Sequence, residues 1–84
     1  MDKAKKINGK FTKFIKLKLL NGDCIITNLE RINAINESKG LIVLERYTQL
    51  SRNTFSEIFP IVINPNFVID AIPIDGWLTQ KKRI

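Results

Sequence analysis

Asn21-Gly22, set between two runs of alternating residues, constrains this chain more than any other feature. Asn-Gly is the dipeptide that best accepts positive φ at both centres of a type I′ turn, so it predicts a two-residue hairpin loop. In that register Leu20 faces Asp23, Leu19 faces Cys24, Lys18 faces Ile25 and Leu17 faces Ile26. Ile15, Leu17, Leu19, Cys24 and Ile26 then share one inner face. Lys16, Lys18, Ile25 and Thr27 share the other. A slip of one residue reverses faces, so burial of the apolar set and the turn chemistry support the same pairing.

The rest of the chain reads outward from this hairpin. Residues 1–10 form a basic arm, with a strand from Lys10 to Leu20 and a second from Cys24 to Asn28. Asn28 is placed to cap a single 3₁₀ or α-type turn over Leu29-Glu30-Arg31. Ile32 to Ile35 then resumes an extended pattern, and Glu37-Ser38-Lys39-Gly40 reads as a loop before a strand over Leu41 to Thr48. Periodicity fades over residues 49–57, which predicts a long loop or frayed strand anchored by Leu50 and Phe55. Ile58 to Asn64 is the next strand, and Pro60 demands an edge position or a bulge there. Asn64-Pro65-Asn66 breaks the chain before a last strand from Phe67 to Pro73. Asp75-Gly76 then turns, Trp77-Leu78 makes a closing contact, and residues 79–84 are a basic tail. The domain proper is thus expected over residues 11–78.

Thr27 to Ile35 aligns weakly with Asn64 to Ile72, each ending in Ile-(Asn/Asp)-Ala-Ile. This reads as one corner used twice, with Ile32, Ile35, Ile69 and Ile72 all buried. Five or six short antiparallel strands, tight turns and helices of at most one turn predict an all-β fold, a small SH3-like barrel.

Residues 15–36 resemble the small flagellar proteins of the FlbD/SwrD type and similar small phage and mobile-element proteins. The matching positions are Ile15, Lys16, Leu17, Leu20, Asn21, Gly22, Asn28, Ile32 and Ile35. These are turn and core formers, so the resemblance implies a fold and not a flagellar role. A second resemblance, to Sm-like RNA-binding rings, rests on Leu17, Leu19, Asn21-Gly22 and the closing residues 62–74. Strand two breaks too early for that fold, at Asn28, and its Arg-Gly loop is missing.

Chemistry narrows the function classes. The chain has no histidine and one cysteine, Cys24, which the predicted register buries as a small inert hydrophobe. The acids are scattered without metal-ligand spacing, and the four glycines are isolated, so no phosphate-cradling loop exists. An enzyme is not expected, and neither is a cofactor. No apolar run reaches the roughly 20 residues of a membrane span, and a lone cysteine fits a reducing, cytoplasmic setting.

The net charge of +6 sits mainly at the two ends. Basic ends are most often solubilising and less often contacts to nucleic acid. The reading favoured by size and by the lack of a catalytic set is a protein-interaction module. It fits a phage or mobile-element accessory that binds and modulates a host defence protein, with strand edges that could also pair copies of the chain. The alternative is a nucleic-acid-binding barrel. There Phe14, Lys16 and Lys18 share an outward face, Tyr47 offers a second ring, and Lys81, Lys82 and Arg83 add charge.

Overall fold

The computed structural model describes residues 9–79, and its first hairpin differs from the Asn-Gly expectation by one residue. Between strands β1 (Gly9–Leu19) and β2 (Cys24–Asn28) Leu19 stands opposite Asp23, and this pair closes a loop of three residues, Leu20, Asn21 and Gly22. The amide of Gly22 donates to the Leu19 carbonyl at 2.9 Å, and the amide of Leu19 to the Asp23 carbonyl at 2.8 Å. Gly22 alone among the described residues has positive φ, at 97°. A type I′ turn needs a second positive φ at Asn21, so the loop is instead a turn followed by a left-handed glycine bulge. Asn21 contributes through its side chain, whose Oδ1 accepts from the Asp23 amide at 2.9 Å.

The extra loop residue turns β2 over. Leu17 now faces Ile25 and Ile15 faces Thr27, while Lys16 faces Ile26 and Lys18 faces Cys24. Ile25 and Thr27 are therefore buried, and Cys24 is exposed, contrary to its expected place in the core. The lysines stay outside because β1 has not moved.

Asn28 caps a 3₁₀ turn over Leu29–Arg31 as expected, its Oδ1 accepting from the Glu30 amide at 2.9 Å. The chain then continues as helix α1 (Ile32–Glu37), not as an extended segment. Strands β3 (Ile42–Ser51) and β4 (Thr54–Ile63) form one long hairpin through Arg52-Asn53, where a long loop or frayed strand was expected. Phe55 anchors it, but Leu50 does not: Gln49 pairs with Phe55 and Ser51 with Thr54, so Leu50 is the bulged residue and points out. Pro60 lies in a bulge as its missing N–H requires. Leu44 pairs with Ile61 and Arg46 with Ile58, leaving Phe59 and Pro60 both opposite Glu45.

A second 3₁₀ turn, Pro65–Phe67, leads into β5 (Val68–Thr79), which runs straight through Asp75-Gly76. Gly76 is needed for close approach and not for a turn. A Cβ there would stand 2.6 Å from both the Asn53 carbonyl oxygen and the Phe55 ring. That proximity lets the β3–β4 turn meet β5, where the Trp77 amide donates to the Asn53 carbonyl at 2.8 Å.

The five strands pair in a ring. β1 pairs antiparallel with β2 and β5, β2 meets β3 through Ile26 and Tyr47, and β3 pairs with β4. A two-residue parallel contact, Thr54 with Trp77 and Phe55 with Leu78, completes it. Both faces of β1 are used. Ile15, Leu17, Ile25, Ile35, Leu44 and Ile63 form an aliphatic core that α1 covers. Phe14, Tyr47 and Phe55 form an aromatic core with Ile26, Ile74 and Leu78 on the opposite face, drawing on all five strands. Burial of each large side chain contributes about 1.5–3 kcal/mol. The switch shows at Phe14 and Ile15, consecutive residues that are both buried.

Candidate functional site

Pairing in β1 places Phe14, Lys16 and Lys18 on one face, as expected, but that face is not uniform. Phe14 has no exposed surface, because the ring of strands closes over it. Its ring meets Tyr47 edge to face at 5.0 Å and Phe55 at 4.5 Å. Tyr47 is buried too, and burial raises its hydroxyl above the usual tyrosine pKa. Phe14 therefore offers no ring face to a ligand, contrary to its expected role, and Tyr47 reaches the surface only where it lines the cavity between β2 and β3. Lys16 and Lys18 are exposed, with Ile26 and Ile72 as register partners of the first and Cys24 and Asp70 of the second. Lys81, Lys82 and Arg83 lie outside the described residues, as do residues 1–8 of the expected arm.

Between β2 and β3 a cavity of about 260 Å³ is lined by Lys16, Cys24, Arg46, Tyr47 and Ile58 among others. Arg46 Nε is shielded there without a hydrogen-bond partner among the described residues. No group of three or more Cys, Asp or Glu among those residues is placed to hold a metal ion. No helix among them is long and apolar enough to cross a membrane.

The larger unexplained feature is apolar. Val43 and Val62 are direct register partners on β3 and β4, and both are more than half exposed. Leu41 stands two residues before Val43, and Phe59, in the adjoining bulge, is 82% exposed. Among the described residues no strand pairs with β4 beyond Phe55 on its side away from β3. β3 likewise meets β2 only at Tyr47, so its first half has no strand on that side. The bidentate contact from Arg31 to Glu45, at 3.0 and 3.3 Å, borders this region and holds the Glu45 carboxyl below its usual pKa. Sequence alone could not single out this surface, because Ile42/Leu44 and Leu41/Val43 are equally apolar faces of one strand. Only the tertiary closure decides that the first pair is covered.

A second surface is equally absent from the sequence reading. A groove of about 430 Å³ along the start of β1 is lined by Lys10, Phe11, Lys13, Leu29, Glu30 and Leu78 among others. Phe11 stands beside Trp77 across the β1–β5 pairing.

Comparison with known proteins gives no match to a family model, a curated protein or a solved structure.

Proposed function

We propose that the chain is a non-enzymatic interaction module on an SH3-like barrel, which docks on a partner protein through the first half of β3 and the second half of β4. The observation that carries this reading is the exposed apolar set Leu41, Val43, Phe59 and Val62 on strands without a covering element among the described residues. Clustered exposed apolar side chains of this kind mark interaction surfaces, whereas scattered ones do not. The ring of pairings and the 3₁₀ turn before a last strand that returns to β1 support the SH3-like description.

The small size and the resemblance of residues 15–36 to phage and mobile-element proteins favour an accessory that modulates a host protein in the cytoplasm. Free strand edges on β3 and β4 would also allow pairing between copies, although Pro60 and its bulge oppose edge-to-edge growth.

The test is a pull-down from host lysate with nuclease present. Wild-type protein is expected to retain a specific protein partner. Val62→Glu and Phe59→Ser should lose it while their circular dichroism and melting curves stay unchanged. A partner that both variants retain, or one captured only when nuclease is omitted, would contradict the proposal.

A further inference from the structure

β2 and β3 pair only through Ile26 and Tyr47. Toward Cys24 on one strand and Gln49 on the other they part, and the cavity of about 260 Å³ lies in that gap. Lys16 and Arg46 line it, and no Asp or Glu among the described residues does. Three carboxylates stand on adjoining strands, outside the lining. Glu45 is bound by Arg31, Asp70 is the register partner of Lys18, and Glu57 is that of Tyr47 on the β4 side. Among the described residues neither Lys16 nor Arg46 forms an ion pair with any of them.

Arg31 and Arg46 show a guanidinium with and without a carboxylate in reach. Arg31 takes Glu45 side-on, through Nε at 3.0 Å and Nη2 at 3.3 Å. Arg46 Nε is equally a donor, yet it is shielded from solvent and has no acceptor among the described residues. A shielded donor without an acceptor is unfavourable, and a ligand that brings the acceptor removes the deficit. The side-on edge of a guanidinium matches a planar carboxylate, while the ammonium of Lys16 acts as a point charge for a second anionic group. Ile26 and Ile58 supply apolar wall for a short carbon chain between the two. The cavity is smaller than the roughly 300–1,000 Å³ of sites for drug-sized ligands, which favours a compact molecule.

We propose that this cavity binds a small organic dicarboxylate, with one carboxylate on the Nε edge of Arg46 and the other on Lys16. The site uses the second half of β3, whereas the apolar docking surface uses the first half. Neither reading depends on the other.

The probes are succinate and glutarate, titrated into the full-length protein at constant ionic strength. The Arg46 Nε–H signal in ¹⁵N-edited NMR spectra should move downfield and saturate as the donor gains its acceptor. Cys24 lines the same cavity, so the bound ligand should also slow its labelling by iodoacetamide, an uncharged reagent. Arg46→Lys keeps the charge but loses the fork, and should weaken binding by about 10-fold or more. Lys16→Gln should remove most of the advantage of succinate over the monocarboxylate butyrate and leave butyrate itself unaffected. Lys18→Gln changes a charge outside the lining and should bind as wild type. Protection of Cys24 without movement of the Arg46 signal would overturn the proposal. So would inorganic phosphate as effective as succinate, which would show a site for any small anion, and so would the lack of a saturable shift with either dicarboxylate.

Discussion

Two corners of this chain begin alike and end differently. Asn28 and Asn64 each cap a 3₁₀ turn by accepting an amide two residues on, from Glu30 at 2.9 Å and from Asn66 at 3.0 Å. Each turn leads to an Ile-x-Ala-Ile stretch, yet the first becomes α1 and the second becomes part of β5. The spacing explains the outcome. In a helix, residues three apart share a face, so Ile32 and Ile35 both reach the aliphatic core. In a strand they point to opposite faces, and Ile69 and Ile72 are both more than half exposed. Beyond each cap, the conformation is decided by which partner is available. Leu29, Ile32 and Ile35 find the open face of β1 and β2, whereas β5 finds the free edge of β1.

The comparison can be broken first at its isoleucines. Ile35→Ala should cost about 2–5 kcal/mol in denaturant unfolding, and Ile72→Ala less than about 1 kcal/mol. Equal losses would mean that the two corners are packed alike. A second change sits just before the first cap. Thr27 is fully buried beside Ile15 and its hydroxyl has no partner among the described residues. Thr27→Val removes an unsatisfied polar atom and should stabilise the fold by about 1 kcal/mol, read as a shift in the unfolding midpoint. A loss of that size would show that the hydroxyl is satisfied in solution.

The caps themselves come next. Asn28→Ala and Asn64→Ala should each cost about 1 kcal/mol, since both lose one amide acceptor at an exposed turn. A much larger loss at Asn28 alone would mean that its corner depends on the cap more than on Ile35. The smallest effect is the ion pair at the first corner. Arg31 holds Glu45 below its ordinary pKa, so the contribution of the pair is complete above the unfolded carboxylate value. It is lost as pH falls through the lowered folded value. Both groups are partly solvated, and Glu45→Gln should cost well under about 1 kcal/mol, with the difference from wild type vanishing in acid. A difference that persists at low pH would assign the effect to packing.

Much of the fold is legible in the sequence because its signals are local. Asn-Gly marks the first hairpin, Asn28 its capped corner, and Pro60 its bulge. The helix escapes an extended reading of Ile32 to Ile35, although Leu29, Ile32 and Ile35 recur every third residue, a period that no strand can bury on one face. Phe14 is misplaced for a different reason. It does share a face with Lys16 and Lys18, but alternation says nothing about where along a strand that face turns inward. Closure over Phe14 depends on Phe55 and Gly76, which come about forty and sixty residues later in the chain. Phe11 gives no local signal because its partner, Trp77, is equally remote in sequence. Exposed surfaces are the least legible part of such a chain, since they are what remains after non-local pairing has chosen the cores.

One residue of loop length decides which face of β2 is buried, and with it the whole use of both faces of the sheet. Cys24 reports on this directly. The native protein should be mixed with an excess of a chromogenic disulfide reagent, without denaturant, and the rate compared with that of the unfolded chain. The three-residue loop places the thiol outside beside Lys18, so labelling should be complete at a rate within about an order of magnitude of the unfolded protein. Labelling that waits for global unfolding would put Cys24 inside, restore the two-residue turn, and contradict the register on which both cores rest.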